Sequence, residues 1–591
     1  MMTAMRILPS MLAAGLAALP SAQEVLTPER LLSLHRAGSP RLAPDGKHLL
    51  FTVTTPDVER DTSATGVWLL DLTRDGAEPV EVGAGHSPRW LDSGAEFVWV
   101  TDAGLRLRNL LEDGPDRVLP VRGGLGSLLL APGGTRFAFT RNVKLDVVVA
   151  DQNKDLPAAN ARAYDDLMVR HWDRWRDGTY SHLFVQPLLR DGPTVDLMAG
   201  EKVHTPLPPF GGVEQIAWSP DGKELCYTAR RVADPEQSTD SSLWVVSANG
   251  GEHRNLTAGM PGYDLEPRYS PDGRWIAFSS MARGGFEADR VRLFVHERRT
   301  GENRELLPDF DGSVHDVTWS SDSRQLFFTV DWRGSTQVFR TPLAEPEAQQ
   351  VTRGHRRQRP CLRRARAAER RRGMVRRHRR QAHHAWIVKP PGFDAKKRYP
   401  MLLYCQGGPQ SMVGQWFSYR WNFHLMAAKG YVVAAVNRRG LPGFGQAWND
   451  EISRDWGGQA MRDLLSVCDA MQARDYIDER RTAAVGASFG GYSVFWLMGN
   501  GGDRFACMIS HCGVFNLESM YLATEELFFV DWEFGGPYPD LCTNQHPRHA
   551  PSTPMRQKSG RLRRPFAPRT PWQNAQRGQR PACASAVAFL A

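Results

Sequence analysis

At 591 residues the chain is too long for one ordinary domain and suits two of roughly 200–350 residues each. Its 41% hydrophobic content, with 18 Trp and 26 Phe, excludes a globally disordered protein. The net charge of +9 does not mark a nucleic-acid-binding surface. Thirteen Arg against one Glu lie between His355 and Arg380, nine Lys or Arg with no Asp or Glu lie in 541–591, and the remainder is net acidic.

The N-terminus reads as a secretory signal over residues 1–22. Arg6 supplies the positive charge, Ile7 to Leu19 the apolar run, and Ser21 and Ala22 the small residues before a cleavage site. The run is short and Ala-rich for a membrane span. The expectation is export to the periplasm or outside the cell, with no membrane attachment after cleavage. The eight cysteines show no CxxC pair and no zinc spacing, so no metal is expected.

From about residue 25 to 354 the chain repeats itself. Ala43-Pro44-Asp45-Gly46, Ser219-Pro220-Asp221-Gly222 and Ser270-Pro271-Asp272-Gly273 each stand before a short apolar strand. Weaker copies are Leu91-Asp92-Ser93-Gly94, Ala131-Pro132-Gly133-Gly134 and Ser321-Asp322-Ser323-Arg324. Each is a turn between two strands, recurring every 40 to 50 residues with one double interval. That period predicts a β-propeller, closed by seven or eight blades. The double interval holds an insertion. Tyr164, Leu167, Met168, Trp172 and Trp175 fall at helical spacing, which predicts a helix packing both tryptophans. Within it, Asp165 or Asp166 is a candidate partner for a substrate amine.

From Trp386 the pattern changes. Apolar strands are expected at Pro400–Cys405, Tyr431–Val436, Thr482–Ala487 and Cys507–His511, with a helix over Ala460–Ala473. This alternation predicts an α/β-hydrolase sheet over 386–538. Its chemical signature is Val485-Gly486-Ala487-Ser488-Phe489-Gly490-Gly491, a strand running into Gly-x-Ser-x-Gly and then a helix. The turn is so tight that small residues must flank it, and it lifts the serine hydroxyl above the sheet. Ser488 is the predicted nucleophile and the Phe489 backbone N–H an oxyanion donor. A second donor is expected from Tyr404-Cys405-Gln406-Gly407-Gly408-Pro409, through Gln406 or Tyr404.

These pieces, together with Asn437-Arg438-Arg439-Gly440, Gly443-Phe444-Gly445, Asp455-Trp456-Gly457-Gly458 and Arg170-His171-Trp172-Asp173, resemble the prolyl oligopeptidase family of serine peptidases. The likeness is to its dipeptidyl-peptidase-like bacterial branch. The resemblance implies a propeller capping the catalytic domain and a substrate that is an oligopeptide. It implies no cofactor, and a role for Tyr521 in lining the pocket for the residue before the cleaved bond; a plain structural tyrosine is the alternative. Nothing in the sequence excludes a homodimer.

Two segments depart from the family pattern. Residues 355–385 are Arg-rich where the last blade and the crossover should lie, and 539–591 lack apolar periodicity. After Asp540 there is no Asp or Glu, and the last histidine is His549, only 61 residues beyond Ser488. The family places its triad Asp and His farther along. The expectation is therefore a hydrolase domain incomplete at its C-terminal side and lacking the catalytic Asp and His, with a disordered tail. His511, Asp503 and Asp531 are read as structural residues rather than a relocated triad. Out-of-frame reading of GC-rich DNA produces such Arg, Ala and Pro-rich stretches, and two frame disruptions account for both. The function expected is an exported serine exopeptidase releasing di- or tripeptides. The rivals are a propeller-based peptide-binding protein with a vestigial hydrolase domain, and an esterase-like acyl hydrolase.

Overall fold

The computed structural model describes residues 25–351, 370–376 and 382–537, apart from 113, 120, 122, 123, 156, 157, 159, 160 and 191. The expectations for the signal at 1–22, for most of the Arg-rich segment and for the tail at 539–591 fall outside these residues. The chain forms two compact units. One takes residues 28–330 and 338–353, and the other takes 331–337 and the described residues from 370 on. No described helix is long and apolar enough to cross a membrane.

The first unit is built from four-stranded antiparallel sheets in sequence order, six of them among the described residues. The first sheet joins Arg36–Leu42, His48–Asp57, Thr62–Asp71 and Val80–Ala84, and the fifth joins Asp264–Tyr269, Trp275–Ser280, Arg292–Glu297 and Asn303–Glu305. This is the predicted blade architecture. The turn signature behaves as its chemistry requires. Gly46, Gly94, Gly134, Gly222 and Gly273 all have φ between 62° and 73°. Ser323, at the sixth copy, takes φ 60°. Asp221, Asp272 and Asp322 each accept the backbone N–H two residues on, at 3.1 to 3.2 Å, and a serine hydroxyl two residues back at 2.6 to 2.7 Å. The second strands are buried on both faces, as in Phe97-Val98-Trp99-Val100 and Ile276-Ala277-Phe278, because neighbouring blades sandwich them. Tryptophans at the ends of first strands tie one blade to the blade before it. Trp90 donates to Arg41 O at 2.9 Å, Trp218 to Leu129 O at 3.3 Å and Trp319 to Arg268 O at 2.9 Å.

The insertion in the third blade is not the predicted helix. Arg170–His171 and Arg174–Trp175 pair as a small antiparallel hairpin whose turn holds Trp172 at φ 54°. Both tryptophans stay half exposed. Trp172 meets Phe210 edge-on at 4.8 Å, and Trp175 stacks on Tyr164 at 6.3 Å. The helical spacing misled because the chain reverses at Trp172, and a turn inside the window breaks a periodicity that assumes one continuous element.

One carboxylate of this unit sets a pH dependence. Asp264 is fully buried at the start of a first strand, and burial pushes it up to about 7, against the opposing hydroxyls of Ser280 and Thr257. The folded state therefore holds a proton that the unfolded chain gives up near pH 4. This group's contribution is full below that pH and is lost as pH rises to about 7. Asp264→Asn is expected to gain stability over the parent as pH rises from 4 to 8, by up to about 4 kcal/mol. Denaturant midpoints across that range check it, and a pH-independent difference would contradict it.

The second unit carries a mixed sheet of β1 (Arg370–Arg376), β2 (Ala382–Val388), β3 (Tyr399–Cys405), β4 (Val432–Asn437), β5 (Ile477–Ala487) and β6 (Cys507–His511). Its order is β1-β2-β4-β3-β5-β6, with β3, β4, β5 and β6 parallel and β1 and β2 antiparallel. The sheet thus takes in residues upstream of 386. Helices α1 (Phe423–Ala428), α2 (Gln446–Asp450), α3 (Gln459–Gln472), α4 (Phe489–Asn500), α5 (Leu517–Ala523) and α6 (Leu527–Phe534) connect or follow the strands. Alternate strand residues feed two cores, as a sheet covered on both faces requires. Met401, Leu403, Cys405 and Ala434 pack with α3 and α4, while Tyr404, Val433 and Ala435 pack with Phe423 and Ala427 of α1. Among the described residues β6 pairs only with β5.

Candidate active site

The site lies where the parallel strands end. β5 runs through Ala487 and α4 begins at Phe489, so Ser488 turns the chain alone. Its φ is 57° and ψ −124°, a conformation that costs a non-glycine residue of order 1–3 kcal/mol and persists only when its surroundings enforce it. They do so on three sides. The Ser488 N–H donates to His511 O of β6 at 3.0 Å, and the Ser488 carbonyl accepts Tyr492 N–H at 2.9 Å. Gly490 packs so tightly that a Cβ there would lie 2.2 Å from Cys405 O. The serine therefore caps a twelve-residue helix whose free N–H groups and dipole favour negative charge at the hydroxyl's position.

Two segments expected to carry oxyanion donors approach it. Phe489 opens α4, with its ring buried between Trp456 at 4.9 Å and Tyr492 at 5.5 Å. The loop after β3 passes close by. A Cβ built on Gly407 would stand 3.8 Å from Ser488 Cβ, an ordinary contact, but only 3.0 Å from Ala487 O, so glycine eases the loop's approach to the elbow. The Gln406 side chain is buried and donates to Ser411 Oγ at 3.1 Å. The Tyr404 ring instead lies in the core against Phe423 and Trp421, where burial pushes its hydroxyl up to about 12.

Behind the loop sit charged groups to which sequence reasoning gave no role. Arg438, at the end of β4, is wholly buried and donates to Pro409 O at 3.0 Å, Gln406 O at 3.4 Å and Arg439 O at 3.0 Å. Its guanidinium lies 4.3 Å from the Phe489 ring centroid, and burial lowers its pKa to about 9. Glu533 of α6, 1% exposed, accepts Gln410 Nε2 and Trp456 Nε1, both at 2.7 Å, and burial raises its pKa. Arg439 forms a two-pronged pair with buried Asp463 of α3 at 2.7 and 2.9 Å. Arg438 and Trp456 stood in quoted motifs. Nothing in the sequence singled out Glu533, because its partners lie 77 and 123 residues away.

Of the sequence-derived candidates, Ser488, Phe489 and Gln406 come together. Tyr521 lies on α5, partly buried against the core that holds Phe489. Asp165 and Asp166 belong to the propeller unit. Asp166 is paired with Arg176, and Asp165 is exposed. Among the described residues no hydrogen bond joins the Ser488 hydroxyl to an imidazole or carboxylate. His511 supports the elbow through its carbonyl, while its imidazole Nε2 lies 3.7 Å from Cys512 Sγ and its ring 6.0 Å from Trp421.

A serine held in a strained strand-to-helix turn, facing a glycine loop on a parallel sheet, defines a serine hydrolase of the α/β-hydrolase class. Comparison with known proteins narrows the class. A model of the prolyl oligopeptidase family matches residues 417–566. The chain is 35% identical over 565 residues to dipeptidyl-peptidase 5 of Porphyromonas gingivalis, covering 87% of this chain and 82% of that one. It is 29% identical over 598 residues to dipeptidyl-peptidase 5 of Trichophyton tonsurans, covering 87% and 81%. Among solved structures, Pyrococcus horikoshii acylaminoacyl peptidase superposes with a TM-score of 0.70 at 15% identity, over 88% of this chain and 85% of that one. The chain belongs to the prolyl oligopeptidase family and is, by lineage, a serine peptidase.

Proposed function

We propose that the Ser488 site is built to remove dipeptides from the N-termini of oligopeptides, through an acyl-enzyme, in an exported protein. The observation that carries this reading is the elbow itself. Ser488 is strained, caps α4 and faces the Gly407 loop, an arrangement whose use is attack on a carbonyl and stabilisation of the resulting oxyanion. Dipeptide release follows the activity for which the dipeptidyl-peptidase 5 relatives are named. Export rests on the N-terminal run of residues 1–22.

Exopeptidase action requires recognition of a free α-amine, and Asp165 offers an exposed carboxylate for it, with Asp166 already engaged by Arg176. In calorimetry on the whole chain, Asp165→Asn is expected to weaken binding of a free-amine tetrapeptide about fivefold or more. Binding of its N-acetylated form should be unchanged. An equal effect on both peptides would reject the assignment.

A second reading is favoured by the Ser488 hydroxyl, which meets no imidazole among the described residues. On this reading the chain binds peptides without turning them over, since no Asp or Glu follows Asp540 to complete a triad. Measured peptide binding without product by mass spectrometry would select it.

A further inference from the structure

We propose that Arg438 is a positioning residue for the oxyanion site, holding the Gln406–Pro409 loop and Phe489 in one frame above Ser488. The inference rests on Ser488 as the acyl acceptor and goes beyond it.

The chemistry poses a geometric demand. An oxyanion is stabilised by donors fixed about 2.7–3.1 Å from where its charge will develop, and small displacements are costly. Here the two donor-bearing segments belong to different elements. Phe489 starts α4, and the glycine loop follows β3. The two meet where Gly490 packs on Cys405 O. Arg438, from a third element, touches both. Its Nη2 binds the Gln406 and Pro409 carbonyls, and its guanidinium lies over the Phe489 ring. A peptide unit points its C=O and N–H in opposite directions. With the Gln406 carbonyl drawn to Arg438, the Gly407 N–H of the same unit is directed away from it. Gly407 is the loop residue that approaches Ser488.

The frame closes on its other side. Gln410, at the loop's end, binds Glu533. Glu533 binds Trp456, and the Trp456 ring meets Phe489. Loop, Glu533, Trp456, Phe489 and Arg438 thus form a closed circuit. Energetics favour a positioning role over a packing one. Among the described residues no ion pair joins Arg438 to a carboxylate, and burying a charge without one is expensive. An apolar side chain of similar volume would fill the space at lower cost but could not hold three carbonyls or fix the loop's peptide planes.

Two readouts on the whole chain test this with Arg438→Met, Arg438→Lys and the milder Gln410→Ala. The first is amide hydrogen exchange. In Arg438→Met, peptides covering 405–411 and 488–490 are expected to exchange at least tenfold faster, with α3 and the propeller blades unchanged. The second is binding of a free-amine dipeptide boronic acid, whose tetrahedral adduct on Ser488 Oγ places an oxygen where the oxyanion forms. Its affinity is expected to fall about 10–100-fold in Arg438→Met and to recover partly in Arg438→Lys. Affinity for the same dipeptide as its carboxamide should hold. If Arg438→Met does not fold, Gln410→Ala should show the same local exchange at 405–411. Unchanged exchange in those segments, or an equal loss for boronate and carboxamide, would overturn the proposal. If the parent forms no boronate adduct, the nucleophile reading fails while the exchange result still decides the role of Arg438.

Discussion

Chromogenic dipeptide substrates are expected to turn over on this polypeptide at below about 10⁻³ per second, against ordinary enzyme rates of about 1–10³ per second. A serine hydroxyl is a weak nucleophile at neutral pH and needs an imidazole to take its proton. The imidazole in turn needs a carboxylate to set its tautomer. The described residues give the Ser488 hydroxyl no such partner. The residues after Asp540 contain no Asp or Glu, and their last histidine is His549. Without an imidazole and a carboxylate, only the oxyanion frame and binding would remain, roughly 10³–10⁴ over water, where removal of a triad serine or histidine in a model protease costs about 10⁶. Steady-state assays of residues 23–591 with a panel of dipeptide and tripeptide substrates check this. Turnover at ordinary rates would overturn it and point to an unorthodox base, and His511→Ala would be the first variant to separate.

The second large effect is structural. Gly490→Ala is expected to destabilise the hydrolase unit by about 3–5 kcal/mol and to abolish any boronate adduct. The added Cβ would stand 2.2 Å from Cys405 O, a backbone atom of β3 that cannot move without shifting the loop that begins at Gln406. Gly430→Ala is the matched control. Its φ is 93°, but nothing lies within 4 Å of a Cβ there, so only the backbone strain of roughly 1–2 kcal/mol applies. Denaturant unfolding of both variants measures the difference, and equal losses would show that the close approach to Cys405 is not what holds the elbow.

Much of the fold was legible because its signals are local. The turn Pro-Asp-Gly encodes a left-handed residue in four neighbours, and every predicted blade turn holds one, including serine at 323. The β6 strand spans Cys507–His511 as predicted, and the helix expected at 460–473 occupies Gln459–Gln472, since each is apolar at a single period. The elbow was legible because its strained turn demands small residues two before and two after Ser488. What surrounds it was not. A buried arginine reads in sequence like an exposed one. The Glu533 carboxylate, on α6, finds its two donors on a loop and on the segment before α3, contacts that only the folded sheet creates. The 164–175 insertion failed for a related reason. Its apolar residues fall at helical spacing, but Trp172 enters a turn at positive φ that the spacing does not reveal.

The most direct test of the account is intact-mass and peptide-mapping spectrometry of the chain after long incubation with a fluorophosphonate, alongside Ser488→Ala. The account predicts slow modification at a single residue, Ser488, and none in the variant. Equal modification of both proteins, or a label that never falls on Ser488, would contradict it.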